Sequence, residues 1–152
     1  MQNLTIDTGM KEYLINNRAV LRFNPGDPNL YHRFFAAAPQ LDALDAELTE
    51  KLKALPAEPD PARAEQGLAL LNDYDRRIKA LLTEIFGEEN NFDKVLEGVN
   101  LAGTGANGKR VVQNLLDALT PILQDGAAQH LQSTAAAARA EADAARAARG
   151  EA

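Results

Sequence analysis

Apolar positions change rhythm along this chain, and each rhythm predicts an element. Over Leu4-Thr5-Ile6-Asp7-Thr8 apolar and polar residues alternate, the period of a half-buried strand. Tyr13-Leu14-Ile15 and Val20-Leu21-Arg22-Phe23 form two more short runs, separated by Asn16-Asn17, which tolerate turn conformations. With Gly9 as the first turn residue, the pattern predicts a three-stranded antiparallel β-meander over about residues 3–23. Such a sheet is marginal alone and must pack on helices.

The period then lengthens. Asp27 is a good N-cap and Pro28 fits a first helical turn. Leu30, Phe34, Ala37, Leu41, Leu44, Leu48, Leu52 and Leu55 draw one stripe along a helix, interrupted by Pro39, where a kink or a junction of two helices is expected. Pro56, Pro59 and Pro61 mark a connection, and Leu68, Leu71, Tyr74, Ile78, Leu81 and Ile85 form a second stripe. Two such helices predict an antiparallel αα-hairpin whose outer faces carry Asp42, Asp45, Glu47, Glu50, Asp73, Asp75 and Glu84.

Ile85–Asn100 contains a double stop: Gly87 ends the helix, Phe92, Val95 and Leu96 re-anchor the chain, and Gly98 stops it again. A Gly-rich loop at 103–108 precedes a stripe of Val111, Val112, Leu115, Leu116, Leu119, Ile122 and Leu123, with Pro121 near its expected end. Of the 28 alanines, 13 lie in residues 127–152, where Leu131 is the only large apolar side chain. That tail has high helix propensity but no face to bury, so a solvated or frayed helix is expected. The chain thus reads as α+β, mainly α: a domain over 1–126 with an N-terminal β-meander on an αα-hairpin and further helices, then an Ala-rich tail over 127–152.

Charge narrows the range of partners. The net −6 is concentrated in residues 42–97, where 14 acids face 7 bases. An acidic middle without a basic patch argues against nucleic acid. The absence of cysteine removes disulfides and thiolate chemistry. Neither a signal-peptide pattern nor an apolar run near the ~20 residues of a membrane span is present. A soluble intracellular protein is expected.

Candidate chemistry is sparse. Gly103–Lys109 matches Gly-x-x-x-x-Gly-Lys, but Arg110 stands where a phosphate-binding loop needs a Ser or Thr hydroxyl, and no βαβ pattern surrounds it. A flexible Gly-Asn linker explains the residues as well. His32 and His130 lack partners at ligand spacing, and Ser133, the only serine, sits in the Ala-rich tail. No catalytic residues, metal site or cofactor are predicted, and the chain is read as a non-enzyme. Apolar surface remains as the means of function. Phe34, Phe35, Leu71, Ile78, Leu115 and Leu119 are the candidate partner-binding side chains, although such stripes more often serve only a core.

Ile85-Phe86-Gly87-Glu88 followed by Lys94-Val95-Leu96-Glu97-Gly98-Val99-Asn100 resembles a pattern in small tail-module proteins of long-tailed bacteriophages, among them tail assembly chaperones. Asn3–Gly9 is similar to their opening strand, Phe23-Asn24-Pro25-Gly26-Asp27 to their turn into the first helix, and Leu116–Ile122 to their late helix. These short blocks cover most of residues 3–123 in order; the 56–61 connection and the Ala-Arg-Glu tail have no counterpart. The resemblance implies a non-enzymatic chaperone that binds and solubilises the helical tape measure protein in the host cytoplasm. Such a chaperone would be absent from the mature virion. A homo-oligomer is compatible with that role. A structural tail or head–tail component of the virion is the alternative.

Overall fold

The computed structural model describes residues 1–56 and 61–150. Strands β1 (Lys11–Ile15) and β2 (Ala19–Phe23) are followed by helices α1 (Pro28–Lys53), α2 (Pro61–Phe86), α3 (Phe92–Val95) and α4 (Val111–Ala148). The fold is α+β and mainly α, with a small N-terminal antiparallel sheet packed on an αα-hairpin.

Local sequence explains most boundaries. Asn16 and Asn17 adopt φ of 53° and 60°, the left-handed pair of a type I′ turn, and the Arg18 N–H donates to the Ile15 carbonyl across them. The Asp27 side chain accepts from the Asn29 N–H and caps α1, with Pro28 at its first position. Phe86 ends α2 before Gly87 at φ +97°, and the Asn91 side chain caps α3. α1 and α2 have 26 residues each and run antiparallel: Arg33 near the start of α1 donates to the Ile85 carbonyl at the end of α2, while Tyr74 donates to Glu47 further along. Of their connection, residues 57–60, including Pro59, lie outside the described residues.

Four sequence expectations are corrected. The sheet has two strands, not three. Leu4–Thr8 is an exposed arm because its root is held elsewhere: Asn24 Nδ2 donates to the Thr8 carbonyl, the Asp7 carboxylate accepts from the Gly9 N–H, and Gly9 takes φ +85°. Of the two alternatives at Pro39, a kink or a junction of helices, the junction is the one corrected: α1 is a single helix through it. Pro39 lies on the exposed side, where water can replace the hydrogen bond it removes. The last helix does not end near Pro121; α4 continues through the alanines to Ala148, exposed from Ala128 onward. Its first turns are already packed, so the Ala-rich part needs only propagation of a helix it favours. Asp75 is not on the acidic outer face but 8 % exposed in the interior.

Two polar clamps hold the core around the double stop. Asn90, 3 % exposed, accepts from the Arg22 N–H at 2.9 Å and donates to the Arg22 carbonyl at 2.8 Å and the Phe86 carbonyl at 2.9 Å. Its amide thereby takes the place of a neighbouring strand on β2 and also terminates α2. The second clamp is Asp75, which accepts from the buried Leu101 N–H at 2.7 Å and from Lys79 at 2.9 Å, while Lys79 also reaches Asp93 at 2.6 Å. Around them Phe23, Phe34 and Phe92 all pack on Phe86, with ring centroids 5.3–6.3 Å apart.

Asn90→Leu keeps volume but leaves Arg22 and Phe86 backbone groups unpaired, so it is expected to lower stability by about 3 kcal/mol, read from the urea midpoint. For Lys79, burial acts to lower the pKa, but the hydrogen bonds and charges of Asp93 and Asp75 outweigh it and raise the value above the ordinary 10.5. A raised folded pKa means that the ammonium's contribution is complete below the unfolded value and fades as pH rises through the folded one. Lys79→Met should therefore cost roughly 3 kcal/mol at neutral pH. Its deficit against the unsubstituted chain should shrink as pH rises past the ordinary 10.5 and through the raised folded value, in paired denaturation curves.

Candidate functional site

The first turns of α4 are positioned by Arg110, the residue just before the helix. Its guanidinium bonds to Asp45 and to Thr49 (2.9 Å) on α1 and to the Ala102 carbonyl (2.7 Å), with a side chain only 17 % exposed. This fork ties the start of α4 to the C-terminal third of α1 and sets the gap between them. The Gly-rich loop before it is closed on itself: the Gly105 N–H donates to the Lys109 carbonyl and the Gly108 N–H to the Gly105 carbonyl. Lys109 turns to Asp117 at 3.5 Å. The features that resembled a phosphate cradle in sequence are used to build a turn and anchor a helix.

Two apolar clefts flank α4. One is a seam against α1. Its upper part, about 170 Å³, is lined by Phe34, Phe35, Ala38, Leu41, Leu116 and Thr120 among others. Its lower part, about 280 Å³, shares Leu41, Asp42, Gln113 and Leu116 and extends to Asp45 and Arg110. The other cleft, about 470 Å³, opens between β1 and α4: Tyr13, Leu14 and Ile15 face Val111, Leu115, Leu119 and Ile122, with Leu96 nearby. Burial raises the Tyr13 phenol above its ordinary 10.0, so it stays neutral through the physiological range. A wider hollow of about 660 Å³ lies at the turn end of the αα-hairpin, lined by Leu52, Leu55, Leu68 and Leu71. Leu68, expected to lie on a core stripe, is 66 % exposed there.

The six candidate partner-binding residues separate on this map. Phe34 and Ile78 are 4 % exposed and belong to the core, Phe34 with an edge on the α1–α4 seam. Leu115 and Leu119, 7 % and 3 % exposed, form the floor of the β1–α4 cleft. Phe35 is half-buried in the seam, and Leu71 is half-buried in the hairpin-end hollow. No single surface gathers all six. Sequence reasoning missed Leu116 and Tyr13 as lining residues; their apolar character was visible, but their partial exposure depends on the spacing of elements.

Among the described residues no group of three or more His, Asp or Glu side chains is placed to hold a metal, and no helix is long and apolar enough to cross a membrane. No family model, curated protein or solved structure matches the chain.

Gly126 marks a second close contact along α4. A Cβ there would collide with the Pro25 carbonyl and lie 2.9 Å from the Pro25 Cβ, so the turn after β2 rests directly on α4. Gly126→Ala would force that turn outward. It is expected to cost about 1–3 kcal/mol despite the better helix propensity of alanine, as a drop in the thermal midpoint.

Proposed function

We propose that this chain is a non-enzymatic binding protein that shelters apolar helical segments of a partner. In keeping with its resemblance to phage tail-module proteins, we assign that partner as the tape measure protein during tail assembly. The observation that carries this reading is the α1–α4 seam, where Phe35, Ala38 and Leu116 stay half-buried over a core of Phe34 and Leu41, with Asp42 and Asp45 exposed at the rim. An amphipathic helix recognises such a seam by laying in apolar residues spaced three and four apart. A long amphipathic helix left uncovered is an aggregation hazard. The chain's net charge of −6 favours a soluble complex, since net charge keeps assemblies apart. On this reading the chain acts in the host cytoplasm and leaves before the particle is complete.

Co-expression with the tape measure protein tests it. The expected result is that the partner becomes soluble and co-purifies, and that Phe35→Asp with Leu116→Asp abolishes both effects while leaving the helical circular dichroism intact. Equal solubility with and without this chain would sink the proposal. Detection of the chain in purified virions by mass spectrometry would favour the alternative, a structural tail or head–tail component.

A further inference from the structure

The sheet is one strand short on its open side. Asn90 binds both the N–H and the carbonyl of Arg22, so those groups point away from β1. In an antiparallel ladder the residues opposite such positions also point outward. Glu12 and Leu14, paired with Arg22 and Val20, therefore direct their N–H and carbonyl groups to the outer edge of β1. Among the described residues no protein group bonds them there. Under this edge lies the β1–α4 cleft, with Tyr13 and Ile15 half-buried above Leu115, Leu119 and Ile122. Free strand edges beside apolar surface are the usual template for another strand.

The chain also carries a strand without a place. Leu4–Thr8 alternates apolar and polar residues, yet Leu4 is 85 % and Ile6 75 % exposed. Five residues at about 3.3 Å each span some 16 Å, the length of five-residue β1. Leu4 and Ile6 fall on one face, two residues apart, as Tyr13 and Ile15 do.

We propose that the chain self-associates by strand addition: Leu4–Thr8 of a second copy pairs with the outer edge of β1, and its Leu4 and Ile6 fill the cleft between β1 and α4. The tie at Asn24 favours a second copy over the chain's own arm. Asn24 holds the Thr8 carbonyl, and Gly9 at φ +85° with its N–H on Asp7 directs the arm away from β1 at the base of the hairpin. Closing the cleft with the chain's own arm breaks that tie, whereas reaching a neighbour keeps it. The exchange is reciprocal, so two arms fill two clefts and the assembly closes as a two-fold dimer. It uses the side of α4 away from the α1–α4 seam and requires no client, so it stands or falls separately from the chaperone reading.

The absence of cysteine from the chain allows a direct test. With Leu4 and Ile6 over Tyr13 and Ile15, Thr5 lies opposite Leu14 whether the added strand is parallel or antiparallel. Mixing the Thr5→Cys and Leu14→Cys variants under mild oxidation should give a disulfide-linked dimer containing one of each, and the unsubstituted chain should sediment as a dimer. Leu4→Asp with Ile6→Asp should yield a monomer of unchanged circular dichroism, since both side chains are exposed in the isolated chain. A monomer at every soluble concentration, or a dimer that survives the arm substitutions, would overturn the proposal. A Thr5→Cys/Leu14→Cys chain that cross-links only within itself would also overturn it, identifying its own arm as the occupant.

Discussion

The carboxamide of Asn90 connects three parts of the molecule that otherwise have little reason to meet. A primary amide offers an acceptor and two donors, and here they complete the Arg22 peptide on the edge of β2 and the Phe86 carbonyl at the end of α2. Because the group is buried, any displacement leaves polar atoms without water or partner, and that penalty fixes the distance between sheet and αα-hairpin. Phe86 consequently sits where Phe23, Phe34 and Phe92 can all reach its ring. The aromatic centre of the core is thus located by a polar interaction. Apolar packing is non-directional and could accept several arrangements of these rings; the amide accepts very few.

The helical part of the fold was legible because its signals are local. Stripes at three- and four-residue spacing, the Asp27-Pro28 start, the Gly87 stop and the Asn16-Asn17 turn each depend on neighbours within a few positions. The signals that failed are those settled at long range. Asn90 belongs to a polar run that reads as a turn, and its main partner is 68 residues away. Asp75 looks like one more acid on a solvated face until the Leu101 N–H, 26 residues on, is placed beside it. Leu4–Thr8 has the right period for a strand, but period states which face would be buried and says nothing of whether a ladder is within reach. For the candidate surfaces, the stripes distinguished apolar from polar positions and could not say which apolar positions stay uncovered. That depends on the α1–α4 gap set by Arg110 and on how closely the turn after β2 rests on α4 at Gly126.

Arg110 and the loop before it show how a chemically suggestive spacing can serve construction. The residue that spoils the phosphate-loop pattern is the one that organises the region, joining α1, the Ala102 carbonyl and the start of α4 through one planar fork. The glycines permit the tight return that brings Arg110 to that place, with Gly108 at φ +80°. The α1–α4 seam inherits its shape from this anchoring point, the β1–α4 cleft lies along the same helix, and the turn after β2 meets that helix at Gly126. The surface proposed for a client and the surface proposed for a second copy are therefore two sides of one rigid strut.

That strut continues well past the body it supports. α4 spans 38 residues, about 57 Å at 1.5 Å per residue, and its last buried side chain is Leu123. The 22 helical residues beyond Gly126, where the turn after β2 still rests on the helix, extend about 33 Å, wider than the radius of a small domain, with no core to hold them straight. Their helicity is inherited: nucleation is supplied by the packed turns, and each further alanine adds only a propagation step. Such a segment behaves as a lever arm rooted in the domain. Its exposed length raises hydrodynamic drag far more than its mass would suggest.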